Sequence, residues 1–182
     1  AVRAHAANPG LLSTADLAAY VAKRREPLCG RYRGRWRICG MPPPSSGGVA
    51  VLQTLGMLQR FDMAHIAPQS AEAVHLISEA YRLAYADRAR YLADSDFVDV
   101  PLHGLLDAGY LARRAALIDP DRSMGTARAG VPAGAAALRG TDGAIELPST
   151  THMSIIDDAG NVVSMTSSIE SAFGSKLMVR GF

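Results

Sequence analysis

The chain has 182 residues, 48% of them hydrophobic and 20% charged, with a formal net charge of +2, so it is long enough for one domain with a real core and gives no case for a nucleic-acid partner. No run approaches the roughly 20 apolar residues that span a bilayer, and the first residues lack the charged-then-apolar layout of a targeting signal. His5, His65, His75, His103 and His152 are scattered with no cysteine partner or paired histidine, so neither a metal nor another cofactor is expected.

Ser13-Thr14-Ala15-Asp16 carries a capping-box layout, a hydroxyl followed three residues on by a carboxylate, and leads into Leu17, Ala18, Tyr20 and Val21. The spacing predicts a short helix ending near Arg25, stopped by Glu26-Pro27. From Leu28 to Gly40 the chain reads as strand, turn at Arg33-Gly34, and strand. The stretch Arg31 to Arg37 interleaves cations with aromatics, as single-strand nucleic-acid binders do. A period of two explains it better, with Arg33, Arg35 and Arg37 on a wet face and Gly34, Trp36 and Ile38 inside. Cys29 and Cys39 flank this stretch and fit either a disulfide of an oxidising compartment or two buried free thiols.

Pro42-Pro43-Pro44 holds the chain extended, and Ser45-Ser46-Gly47-Gly48 offers hydroxyl caps and permissive backbone for entry into a helix from about Val49 to Gln59. A phosphate site there ranks low, because no GK[ST] and no apolar strand accompany the glycines. Ser70 to Tyr91 is the most periodic segment, with Val74, Ile77, Ala80, Tyr81, Ala84, Tyr85 and Arg88 on one expected core face. Asp87-Arg88 is read as bonding neighbouring backbone or pairing locally, not as catalytic. Leu102 to Leu106 and Asp107 to Ile118 give one or two more helices. Asp119 to Pro148 is then a Gly/Ala/Pro-rich loop of about thirty residues, long enough to suggest function or mobility.

Thr150 to Asp157 alternates in part, Asp157-Asp158-Ala159-Gly160 supplies turn residues, and Asn161 to Ile169 resumes a β-rich run, which together make a hairpin. Its entry, Pro148-Ser149-Thr150-Thr151-His152, is where chemistry could start. If the Ser149–Thr150 bond were cut, Thr150 would carry a hydroxyl and a free α-amine able to act as its base. The residues alone leave this beside a plainer reading, since Ser/Thr clusters before strands often bond local backbone in turns. Alternation puts Thr150 and His152 on one face and Thr151 on the other. His152 is read as a structural hydrogen-bonding group and left out of the catalytic set.

Four stretches, in order, resemble the γ-glutamyltransferase (γ-glutamyltranspeptidase) family: Met41-Pro42-Pro43-Pro44-Ser45-Ser46-Gly47-Gly48, Ala84-Tyr85-Ala86-Asp87-Arg88, Thr150-Thr151-His152-Met153-Ser154, and Ser168-Ile169-Glu170-Ser171-Ala172-Phe173-Gly174-Ser175. The resemblance covers nearly the whole chain. It implies an α+β, four-layer αββα N-terminal nucleophile hydrolase fold, incomplete in this fragment. Residues 1–149 would be the C-terminal part of a large subunit, with 119–149 a flexible loop before the cleavage point, and residues 150–182 the N-terminal hairpin of a small subunit.

The same resemblance implies autocatalytic cleavage at Ser149-Thr150, with Thr150 then carrying a γ-glutamyl group from a glutathione-like donor to water or to an amino-acid or peptide acceptor. A large/small subunit heterodimer and a periplasmic or secreted location go with it. Ser168 stands where relatives often have a second Thr supporting the nucleophile, and Glu170 where better-known members have an Asn contacting the substrate. Both departures are tolerable, Ser168 by its hydroxyl and Glu170 by pairing with a substrate ammonium, and both residues equally fit ordinary strand positions. The Arg gripping the substrate carboxylate would lie before Ala1, and the remaining anchors and oxyanion donors beyond Phe182, so the fragment is expected to be inactive. A glutaryl or cephalosporin acylase of the same family, or an uncleaved homologue serving as a binding module, are the rivals.

Overall fold

The computed structural model describes residues 10–135, 150–169 and Gly174. Contacts divide the chain into two compact units, Arg24–Asp142 and a second made of Ala1–Lys23 with Gly143–Phe182.

In the second unit, α1 (Thr14–Ala19) opens with the expected capping box: Ser13 accepts from the Asp16 amide, and the Asp16 carboxylate accepts from the Ser13 amide at 2.7 Å. The helix stops well short of Arg25. Leu17, Tyr20 and Val21 are all exposed, so no buried face extends it beyond what its cap sustains.

In the larger unit, β1 (Leu28–Tyr32) and β2 (Trp36–Gly40) form an antiparallel hairpin in which Cys29 faces Cys39 and Arg31 faces Arg37. The two cysteines are joined as a disulfide, which settles the alternative left open by spacing. Arg33 and Gly34 make the turn with φ of 54° and 66°. Arg33 therefore does not stand on a strand face; its guanidinium donates to the carbonyls of Leu58, Gln59 and Phe61. Trp36, expected inside, is 51% exposed and lies under the Arg35 guanidinium instead.

A turn at Pro43-Pro44, whose bond is cis, precedes α2 (Gly47–Leu58). Ser46 at its N-cap makes no side-chain capping bond; its hydroxyl accepts from Arg88 Nε at 2.9 Å. Gly48 is required by packing, since a Cβ there would sit 2.3 Å from the Met41 carbonyl oxygen.

The long helix α3 (Ala71–Tyr91) starts where Ser70 accepts from the Ala73 amide and ends with Arg88 and Arg90 in its last turn, the charge order its dipole favours. Its buried stripe is Ala73, Leu76, Ala80, Leu83, Ala84 and Tyr91, together with Glu79 and Asp87. This corrects the expected face in part: Ala80 and Ala84 are 0% exposed as expected, but Val74, Ile77, Tyr81 and Tyr85 are 37–55% exposed, because the helix turns Leu76 and Leu83 inward in their place.

The short α4 (Leu102–Leu105) and α5 (Ala108–Ala115) complete the packing, α5 capped by Asp107 accepting from the Tyr110 amide at 2.7 Å. Residues 119–135 form neither helix nor strand, as expected of this stretch. They are nonetheless fastened to the core: the Met124 and Gly130 amides donate to Glu79 and Asp87, and Met124, Ala127 and Ala129 pack against the apolar cluster. Residues 136–149 lie outside the described residues.

Candidate active site

The hairpin of β3 (Thr150–Ile156) and β4 (Val162–Ser168) is closed by a turn that its sequence specifies in detail. The Asp157 carboxylate accepts from both the backbone amide and the side-chain amide of Asn161 at 2.8 Å, and Gly160 takes the positive φ of 81° that the last loop position needs. The Asn161 side-chain and backbone bonds hold the Asp157 carboxyl below its ordinary value.

This turn sets the register, and the register sets the site. Thr150 pairs with Ser168, His152 with Thr166 and Ser154 with Ser164, so one face presents a continuous polar file. Thr150 Oγ1 donates to Ser168 Oγ at 3.1 Å. His152 Nδ1 lies 2.7 Å from Thr166 Oγ1, and its Nε2 lies 3.2 Å from Ser154 Oγ and 3.3 Å from Ser164 Oγ. The opposite face carries Met153, Ile155, Val163 and Met165, all at least 40% exposed. Ser149 and Glu170 lie outside the described residues.

Thr150 and Ser168 are thus brought together, and His152 shares their face with its ring nitrogens engaged by hydroxyls rather than by Thr150. A Thr at the first position of a strand, with its hydroxyl held by a second hydroxyl, can serve as an oxygen nucleophile once a base is supplied. Among the described residues no group of three His, Cys, Asp or Glu side chains could hold a metal ion.

In the larger unit, the two motifs around Ser46 and Arg88 meet through their hydrogen bond, but the chemistry there is architectural. Asp87, 1% exposed, accepts from Gln53 Nε2, Tyr110 Oη, Arg114 and the Gly130 amide. These partners are distant in sequence, which corrects the expectation of local pairing for Asp87. Burial and the neighbouring Asp87 charge push the Tyr110 hydroxyl well above its ordinary pKa, so it stays a donor. A groove of about 520 Å³ between the first hairpin, α2 and α5 has apolar walls that include Leu52, Leu55 and Leu111, is also lined by Cys29, Arg31 and Arg60, and has no carboxylate or histidine in its lining. Sequence reasoning missed the Asp87 network, though carboxylates at 79 and 87 within an otherwise apolar helical stripe are its visible trace.

Over residues 2–182 the chain matches the family described as gamma-glutamyltranspeptidase. It belongs to the gamma-glutamyltranspeptidase family. Among relatives, the Acylase ACY 1 proenzyme of Pseudomonas sp. (strain SE83) is 42% identical over 176 residues, which are 97% of this gamma-glutamyltranspeptidase-family chain and 29% of that protein. The glutathione hydrolase proenzyme of Escherichia coli (strain K12) is 39% identical over 172 residues, 94% of this chain and 28% of that protein. The crystal structure of Helicobacter pylori gamma-glutamyltranspeptidase superposes with a TM-score of 0.61 at 37% identity, covering 66% of this chain and 35% of that one. The chain therefore spans less than a third of the length of these curated relatives.

Proposed function

We propose that this chain carries the cleavage point and nucleophile of a γ-glutamyl acyl-transfer enzyme. The carrying observation is Thr150 at the head of β3 with its hydroxyl on Ser168, in a chain of this family. Thr150 Oγ attacks the Ser149 carbonyl carbon, the peptide C–N bond breaks as the acyl group shifts to oxygen, and water hydrolyses the ester. The freed α-amine of Thr150 then takes the hydroxyl proton when a glutathione-like γ-glutamyl donor acylates the oxygen and its amine departs. Water, an amino acid or a peptide receives the acyl group. Ser168 holds the nucleophile's rotamer, and Glu170 engages the donor's ammonium.

In this reading residues 150–182 begin a small subunit that stays with the large one as a heterodimer, and the hairpin forms part of a four-layer αββα fold. That placement suits a two-stranded hairpin exposed on both faces, which is marginal on its own. The Cys29–Cys39 disulfide supports a periplasmic or secreted location.

A second reading, an acylase acting on glutaryl or cephalosporin side chains by the same Thr150 chemistry, is favoured by the 42% identity to an acylase proenzyme. The test is a pair of assays on the full-length protein. Intact mass shows whether cleavage leaves a piece beginning at Thr150, and turnover is compared on γ-glutamyl and glutaryl anilides. An uncut protein with neither turnover overturns both readings.

A further inference from the structure

The outward face of the first hairpin combines two features that neither the fold nor the proposed chemistry uses. Cys29 and Cys39 are bonded across the ladder, yet both residues are exposed. Their neighbours on that face, one residue pair along, are Arg31 and Arg37, directly opposite each other and also exposed. Two positions along a strand is about 7 Å, so both guanidiniums fall within a Debye length of the sulfurs at ordinary salt.

The hairpin that carries the bond, Leu28 to Gly40, holds four arginines and no Asp or Glu, with Glu26 just ahead of it. Arg33 is committed to carbonyls at the end of α2 and Arg35 to the Trp36 ring, which leaves Arg31 and Arg37 as the cations flanking the disulfide. The Arg31 guanidinium donates to the Gly34 carbonyl at 3.4 Å, a long bond on the exposed surface of the turn. Exposed disulfides are the exchangeable class, and cations beside sulfur favour both the approach of an anionic thiolate and the thiolate that leaves.

We propose that Cys29–Cys39 is a covalent exchange site for small thiols that carry carboxylates, such as cysteinyl peptides. A thiolate attacks one sulfur, forming a mixed disulfide and releasing the other cysteine as a thiolate. A second thiolate attacks the mixed disulfide and leaves as part of a small-molecule disulfide. Two thiols are oxidised, one protein disulfide is reduced, and the two cysteine thiolates take up protons from water. This site is independent of Thr150 and of any reading of its chemistry.

The experiment uses the oxidised full-length protein and two probes at equal thiolate concentration, 3-mercaptopropionate and cysteamine, one anionic and one cationic. Mass spectrometry follows the mixed disulfide and the gain of two hydrogens. The expected result is a rate roughly tenfold higher for the anionic thiol at low salt, a preference that shrinks as salt rises. The Arg31→Gln/Arg37→Gln variant should bring the two rates together, and Arg37→Glu should move the ratio towards cysteamine. Equal rates in the unaltered protein, a ratio insensitive to salt, or a disulfide that reacts only after denaturation would each overturn the proposal. The salt series on the unaltered protein decides the matter even if the variants fail to fold.

Discussion

Across the β3–β4 ladder, Thr150 Oγ1 donates to Ser168 Oγ at 3.1 Å from directly paired positions. The bond acquires weight if Thr150 becomes a chain terminus, because terminal residues fray unless something ties them down. A side-chain bond into the neighbouring strand fixes the hydroxyl while the main chain ahead of it is gone.

Thr150→Ala in the full-length protein is expected to abolish both cleavage and acyl transfer, since in the proposed mechanism one oxygen performs both. Electrophoresis and anilide turnover check this, and normal processing of the variant would sink the assignment.

Ser168→Ala should leave cleavage detectable and slow transfer. Loss of one exposed hydroxyl–hydroxyl bond is worth about 1 kcal/mol, or roughly fivefold in rate. Ser168→Thr should restore the rate, because it keeps the hydroxyl. Steady-state kinetics on the three proteins is the measurement.

Asp87→Asn is expected to destabilise the larger unit by about 3–5 kcal/mol, read as a lower urea midpoint. The change leaves Arg114, whose guanidinium bonds Asp87, Leu83 and Arg128 from a position 5% exposed, as a buried cation without its counter-charge.

Gly104→Ala should cost about 1–3 kcal/mol by the same measurement, since the new Cβ would lie 2.0 Å from the Ala133 carbonyl oxygen. A silent substitution there would mean that residues 131–135 do not pack on α4.

Glu79 gives a pH signature. Burial pushes its carboxyl up, but the Met124 amide, Arg82 and Ser123 more than reverse this and hold it below its ordinary value. A lowered folded pKa contributes stability above the unfolded value, about 4.3, that is lost as pH falls through the folded one. Unfolding midpoints should therefore drop below about pH 4 more steeply in the unaltered protein than in Glu79→Gln.

Local signals were the legible part of this chain. Ser13 and Asp16 cap α1, Asp157 through Gly160 close the second hairpin, and alternation puts Thr150 and His152 on one face, whereas Ser168 as the partner of Thr150 comes from the family resemblance. What sequence hid was tertiary. Both sides of α3 carry apolar residues, so period alone could not say that Leu76 and Leu83 face inward while Tyr81 and Tyr85 do not. The length of α1 depended on packing that Leu17 and Val21 never find. The irregular stretch after Asp119 looked free because its bonds go from backbone to carboxylates forty or more positions away.

Arg33 places two structures under one residue's control. A non-glycine at φ 54° is an uphill choice for a turn, and Asn or Gly would suit the backbone better. Either would also take away the guanidinium that terminates α2 at Leu58, Gln59 and Phe61. Improving the turn and keeping the helix end are therefore competing demands at one codon, and variation at this position should be narrow even though the residue itself is solvent-exposed.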